Sequence, residues 1–162
     1  MSTSRLTTGF LGVAAWLALA VPALAAAGER TSSASIAWRS SEAEAFERAR
    51  ADGRPVVVDF WADWCGACAM LERSTFSDER VRAAMKRLVT VRMDGSENSD
   101  ALTSGRYDAA AERWKVRGLP TLLFFDPGGK LLERIEGVVG PDELLRKLRA
   151  AETRCRETGA CR

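Results

Sequence analysis

The sequence predicts an α/β fold in which helices cover a central sheet. Three observations lead to this prediction: runs of β-branched and aromatic residues recur along the chain, segments with helical apolar spacing separate them, and a pair of cysteines directly follows the first run. The 162 residues suit one domain with a short extension. A composition that is 46% hydrophobic and 28% charged is typical of globular proteins.

End signals mark the first helix and the first strand. Ser41 and Glu44 have the spacing of a capping box, and Gly53 is suited to end the helix that they begin. Pro55 then precedes the run 56–61, Val-Val-Val-Asp-Phe-Trp, which indicates a buried central strand.

Helix and strand signals continue to alternate along the rest of the chain. We expect, in order, helix formers at 69–73, a helix capped by Ser77, a strand at 88–93, a polar loop at 95–105, a helix at 106–115, a strand at 121–125, a turn at 127–129, a strand at 130–139 and a last helix from Pro141. No internal repeat is present, so this order predicts a single domain.

The charge and the residue types exclude several kinds of function. Lys and Arg number 24 against 22 Asp and Glu, and this net charge of +2 argues against a nucleic-acid-binding protein. The chain has no histidine, which removes Cys–His catalytic pairs and the commonest metal ligand. Its chemistry must therefore come from its four cysteines or its carboxylates, and we expect no cofactor and no metal.

The cysteine pair Cys65–Cys68 is placed where a strand ends and a helix begins. The unpaired backbone N–H groups and the positive dipole of a helix start favour the thiolate, which is the form that attacks a disulfide. Cys68 lies one turn further along, within reach of a mixed disulfide held by Cys65. The spacing therefore supplies a nucleophile and a resolving thiol.

The same pair is also compatible with a structural zinc site, a haem attachment site or a structural disulfide. Structural zinc would need a second ligand pair, which only Cys155 and Cys161 could supply, and their spacing fits a zinc knuckle poorly. Covalent haem needs a histidine after the second cysteine, where the chain has Ala69. A purely structural disulfide stays open, although closing so short a loop stabilises little.

Asp59 is a second candidate, because it lies inside the apolar run that precedes the cysteines. Burial of a carboxylate is costly and raises its pKa, which suits a proton acceptor for Cys68. Strand alternation places Asp59 on the same face as Val57 and Trp61. The alternative is an aspartate at a strand end that faces solvent.

The run 118–121, Gly-Leu-Pro-Thr, is the third candidate, since a proline leads into an apolar strand. A cis bond between Leu119 and Pro120 would explain it. A trans proline at the first residue of the strand is the alternative.

These three features together resemble the thioredoxin family. The runs 58–68, with Trp64-Cys65-x-x-Cys68, and 118–126 are most similar to the C-terminal thioredoxin-like domain of DsbD, a bacterial membrane thiol–disulfide reductase. The resemblance covers roughly residues 36 to 150 and implies a thioredoxin fold, a central mixed β-sheet flanked by helices.

The resemblance also implies roles for individual residues. Cys65 would be the attacking thiol, Cys68 the resolving thiol and Asp59 the buried acid–base group. Substrate-binding positions would be Trp64, Gly66, Ala67, Leu119 and Pro120. The chain lacks a multi-span membrane region, so electrons would come from a separate membrane partner, and it lacks a proline before Cys68, which leaves the direction of electron flow open.

The two ends of the chain are predicted to differ from the domain between them. Residues 1–25 have the pattern of a signal peptide, with an N-terminal membrane anchor as the alternative, and 26–35 form a flexible leader. The domain occupies 36–151, and 152–162 is a tail in which Cys155 and Cys161 form a local disulfide, a second redox relay or an intermolecular link.

The predicted function is that of an exported, periplasmic thiol–disulfide oxidoreductase that works as a reductase on cysteines of other exported proteins. The alternatives are a disulfide-donating oxidase, and a thioredoxin-like binding module or metal carrier. We expect a monomer that binds no nucleic acid and meets the membrane only if its N-terminal segment stays uncleaved; it would then be anchored to the inner membrane and face the periplasm.

Overall fold

A computed structural model describes residues 35–162 of the chain. A four-stranded sheet forms its centre, with strand order β2-β1-β3-β4. The elements are α1 (Glu42–Asp52), β1 (Val56–Trp61), α2 (Gly66–Leu71), a π-helical turn (Glu72–Phe76), α3 (Glu79–Met85), β2 (Val89–Asp94), α4 (Ala101–Arg113), β3 (Thr121–Phe125), β4 (Leu131–Glu136) and α5 (Pro141–Glu157).

The central strand β1 pairs in parallel with β2 and antiparallel with β3, which confirms a mixed sheet. Alternate residues of β1 enter two separate cores: Val57 packs on the side of α3 and α5, whereas Val58 and Phe60 pack on the side of α1 and α4. Because helices cover both faces, β1 and β3 are buried at every position except Trp61, which is half-buried. The buried central strand predicted at 56–61 is therefore confirmed.

Two helix starts differ from the prediction. Asp78, and not Ser77, caps α3, because its carboxylate accepts hydrogen bonds from the backbone N–H groups of Arg80 and Val81. The side chain of Ser77 instead donates to the carbonyl oxygen of Arg73. Helix α4 begins at residue 101, inside the predicted polar loop, because Asp100 caps its first turn.

The last strand and the last helix also have different ends from those predicted. Strand β4 ends at Glu136, because Gly137 adopts a positive φ of 80° that breaks the strand. Helix α5 continues to Glu157, so the first six residues of the expected tail, 152–157, belong to this helix. Cys155 lies in this helix, fully buried, and forms a disulfide with Cys161.

The predicted signal or anchor at 1–25 and nearly all of the leader at 26–35 lie outside the described residues. Within residues 35–162, no helix has the length and apolar character needed to cross a bilayer.

The core of β3 gives a direct test of this packing. Leu123 is fully buried, whereas Leu131 on neighbouring β4 is 44% exposed. We expect Leu123→Ala to lower the free energy of unfolding by about 2–5 kcal/mol, because it removes buried methyl groups and leaves a cavity. The control Leu131→Ala should change it by less than about 1 kcal/mol. Urea denaturation measures both, and equal losses would contradict the described burial.

Candidate active site

The cysteine pair lies directly after β1, at the first turn of α2. Cys65 is the N-cap residue, and its Sγ accepts a hydrogen bond from the backbone N–H of Cys68 at 3.1 Å. The two residues are joined by a disulfide, with Cα atoms 5.2 Å apart. The predicted position at a strand–helix junction is therefore confirmed. Gly66, between them, is exposed, and Ala67 is half-buried.

Trp64 is the large exposed side chain beside the disulfide, 61% accessible to solvent. Its indole N–H donates to the carbonyl oxygen of Gly95 at 3.3 Å. The neighbouring backbone N–H of Asp63 donates to the hydroxyl of Ser96 at 3.0 Å. The loop after β2 therefore holds the loop that carries the cysteines.

Gly95 and Ser96 were missed by the sequence reasoning. A Cβ atom at Gly95 would lie 2.7 Å from the ring of Tyr107, so the close approach of this ring requires a glycine. The hydroxyl of Ser96 also donates to Asp94 at the end of β2. The contact of Gly95 with Tyr107 and that of Ser96 with Asp63 have no local sequence signal, because their partners come from distant parts of the chain.

The bond between Leu119 and Pro120 is cis, so the alternative of a trans proline is wrong. Leu119 packs against Ala62, Cys65 and Cys68, which brings the start of β3 to the disulfide. The hydroxyl of Thr121 donates to the carbonyl oxygen of Gly118 at 2.7 Å and fixes this turn. Pro120 itself is buried, so the exposed apolar surface here belongs to Trp64 rather than to the proline.

Asp59 is buried on β1, with 1% of its surface exposed, so the alternative of an aspartate facing solvent is wrong. Its Oδ2 accepts a hydrogen bond from Nε of Arg92 at 2.8 Å, while its Oδ1 has no partner among the described residues. Burial raises the pKa of Asp59 to about 6, and this effect outweighs the opposing attraction of Arg92.

Arg92 was also missed by the sequence reasoning. Register places it directly opposite Asp59 on β2. Its guanidinium also donates to Glu72 at 2.9 Å, and it lies 4.4 Å from the ring centre of Trp38 and 5.0 Å from that of Trp61. These aromatic rings shield the ion pair from water, and cation–π attraction holds the guanidinium in place.

Asp59 and Cys68 line one cavity of about 240 Å³, together with Pro120. Trp61 and Arg92 form part of its wall. The carboxyl group of Asp59, with a pKa of about 6, therefore shares this cavity with Cys68, the inner cysteine. This arrangement can accept a proton from the Cys68 thiol.

The second cysteine pair is remote from this site. Cys155 belongs to the core under α5, and Cys161 packs against that core, whereas Cys65 and Cys68 form a separate cluster with Ala62. The four cysteines therefore do not form one metal site, and residues 35–162 contain no cluster of acidic and cysteine side chains suited to a metal ion.

A family model for the thioredoxin-like domain matches residues 42–152. The thiol:disulfide interchange protein DsbD of Ralstonia nicotianae is 39% identical over 110 residues, which cover 67% of this chain and 17% of that protein. DsbD of Yersinia enterocolitica is 38% identical over 102 residues, covering 62% of this chain and 17% of that protein. The chain thus spans only a small part of the length of these relatives.

Solved structures give the same result for the fold. A DsbH oxidoreductase superposes with a TM-score of 0.65 at 26% identity, covering 73% of this chain and 85% of that one. A thioredoxin from Thermus thermophilus superposes with a TM-score of 0.64 at 26% identity, covering 78% of this chain and 94% of that one. The reduced C-terminal domain of Neisseria meningitidis DsbD superposes with a TM-score of 0.56 at 23% identity, covering 66% of this chain and 90% of that domain. The predicted thioredoxin fold and the predicted likeness to the DsbD domain are confirmed.

Burial of Asp59 predicts a pH-dependent stability. Its pKa is 3.8 when exposed and about 6 in the folded protein, so the folded state holds a proton that the unfolded state has lost between these pH values. Relative to Asp59→Asn, the protein should therefore lose about 2 kcal/mol of unfolding free energy as pH rises from 4 to 7. Denaturant titrations at several pH values measure the difference.

Two further variants sharpen that measurement. Arg92→Gln should move the upper limit of the pH window to higher pH, because Arg92 is the cation that opposes the effect of burial. Asp108→Asn removes an exposed carboxylate and controls for the change in net charge. A constant difference between the protein and Asp59→Asn across this pH range would contradict the raised pKa.

Proposed function

The chain belongs to the thioredoxin-like family, and we propose that it is an exported thiol–disulfide oxidoreductase that works as a reductase in the periplasm. The observation that carries the proposal is the Cys65–Cys68 disulfide at a helix start, with Asp59 in the cavity behind it. The names of the relatives, thiol:disulfide interchange proteins and oxidoreductases, support this class of reaction.

In the proposed reaction, the Cys65 thiolate attacks one sulfur of a substrate disulfide, and the other substrate sulfur leaves as a thiolate. Asp59 takes the proton of the Cys68 thiol through the shared cavity. The Cys68 thiolate then attacks Sγ of Cys65, which releases the second substrate thiolate. The substrate gains two electrons, and the protein is left with the disulfide seen between Cys65 and Cys68.

The substrate surface is proposed to include Trp64, Gly66, Ala67, Leu119 and Pro120. Trp64 offers an exposed apolar face beside the sulfurs. Within the described residues, neither backbone group of Leu119 has a hydrogen-bond partner, so this segment can pair with an extended peptide. Substrates of this kind are cysteine-containing exported proteins in an extended conformation.

The reductase direction requires a donor that restores the dithiol after each cycle. We propose a separate membrane protein for this role. The resemblance to DsbD supports it, because in DsbD such a domain is joined to a membrane region. The Cys155–Cys161 pair is proposed to be structural. It lies under α5 and not in the cavity with Asp59.

A redox titration tests the direction of electron flow. In glutathione buffers, we expect the Cys65–Cys68 pair to be half-reduced at a potential more negative than about −200 mV, since a reductase needs a stable disulfide. Alkylation with a mass tag, read for each cysteine pair, gives the value. A midpoint near about −120 mV would instead indicate an oxidase. A pair that never equilibrates, or that retains a metal stoichiometrically, would favour the binding module.

Single cysteine variants test the roles. Cys68→Ser should accumulate a mixed disulfide between Cys65 and a disulfide-containing peptide, because the resolving thiol is gone. Cys65→Ser should form none and should lose turnover in an insulin reduction assay. Cys161→Ser is the matched control and should retain turnover. A mixed disulfide formed by Cys68 in the Cys65→Ser variant, with none formed by Cys65 in the Cys68→Ser variant, would overturn the assignment of the nucleophile.

A further inference from the structure

Two adjoining cavities at one end of the sheet are surrounded by arginine and lysine side chains. Their volumes are about 310 Å³ and 160 Å³, and Arg54 lines both. We call the cationic side chains around them the basic end. Its members are Arg39, Arg54, Arg82, Lys86, Arg87, Arg156 and Arg162.

Most of this positive charge is not neutralised. Arg54 pairs with Asp52 and also donates to the carbonyl oxygens of Lys86 and Leu88. These two hydrogen bonds connect the turn before β1 to the segment between α3 and β2. Arg87 pairs with Glu152, which lines the same cavity. None of the other five cations forms an ion pair with a carboxylate in the described part of the chain. The basic end therefore presents a local excess of positive charge, although the net charge of the whole chain is only +2.

The basic end lies opposite the disulfide. It surrounds the residues that begin β1 and β2, whereas Cys65 follows the end of β1. The 6 residues of β1 separate the two regions by about 20 Å. Ser35, the first described residue, lines the same cavity as Arg39. The described part of the chain thus begins at the basic end.

The Cys155–Cys161 disulfide fixes the end of the chain to the same place. The backbone N–H of Arg162 donates to the carbonyl oxygen of Gly53 at 3.0 Å. The side chain of Arg162 packs so closely on Gly53 that a Cβ there would lie 2.9 Å from it. The second disulfide therefore holds Arg162 beside Arg54.

We propose that the basic end docks on a bilayer surface that bears anionic phospholipid headgroups. Clusters of Lys and Arg are attracted to such surfaces through their charge. The domain would then rest on the membrane with Cys65 and Cys68 facing away from it, open to substrates and to a membrane donor that reaches over the surface. This proposal concerns placement and does not rest on the thiol chemistry.

The four lysines of the chain supply a test with an internal reference. Lys86 belongs to the basic end, whereas Lys115 is exposed and lies outside it, near the edge strand β4. Arg134 of β4 donates to the carbonyl oxygen of Lys115. The full chain is reconstituted in vesicles of phosphatidylcholine, with or without phosphatidylglycerol. A membrane-impermeant amine reagent is added, and the labelling of Lys86 relative to Lys115 is read by mass spectrometry.

We expect phosphatidylglycerol to slow the relative labelling of Lys86 several-fold, and 0.5 M salt to reverse the effect, because salt screens surface charge. The double variant Arg39→Glu/Arg156→Glu should abolish the protection. The control Arg106→Glu/Arg117→Glu changes the net charge equally outside the basic end and should preserve it.

Three results would overturn the proposal. One is equal relative labelling in the two kinds of vesicle, and another is protection that survives in Arg39→Glu/Arg156→Glu. The third is protection of Lys86 by an added DNA duplex but by neither vesicle, which would assign the basic end to nucleic acid. Since the readout involves no thiol, its failure leaves the proposed oxidoreductase function untouched.

Discussion

Burial of the Asp59 carboxyl group in the central strand is the constraint on which the site depends. A carboxylate in this position loses its hydration, so it needs either a proton or a nearby cation. The parallel register of β1 and β2 supplies Arg92 as the cation, and Glu72, Trp38 and Trp61 enclose its guanidinium. Burial remains the larger effect, and the pKa of Asp59 rises to about 6.

The disulfide depends on the same frame. The end of β1 delivers Cys65 to the start of α2, and the loops at Gly95 and Leu119 close around it from two other parts of the chain. One cavity then connects Cys68 with Asp59. Each element has a separate structural cause, and together they place a proton acceptor behind the inner sulfur.

The two ends of the sheet have different chemical character. The end at Cys65 combines an exposed apolar side chain, Trp64, with a reactive sulfur pair. The end at Gly53 carries cations, and the second disulfide and Arg162 close over it. A nearly neutral net charge concealed this division, because charge totals carry no information on position.

The sequence by itself determined the order of the elements and the strand–helix junction at Cys65, and it favoured burial of Asp59 and a cis bond before Pro120, because each has a signal within a few residues. It misplaced the start of α4, where a single capping residue, Asp100, outweighed a polar composition. Only the tertiary structure decided the pairing of Arg92 with Asp59, the approach of Gly95 to Tyr107 and the gathering of the basic end. These contacts join residues from distant elements, and the packing of strands and helices, rather than local propensity, brings them together.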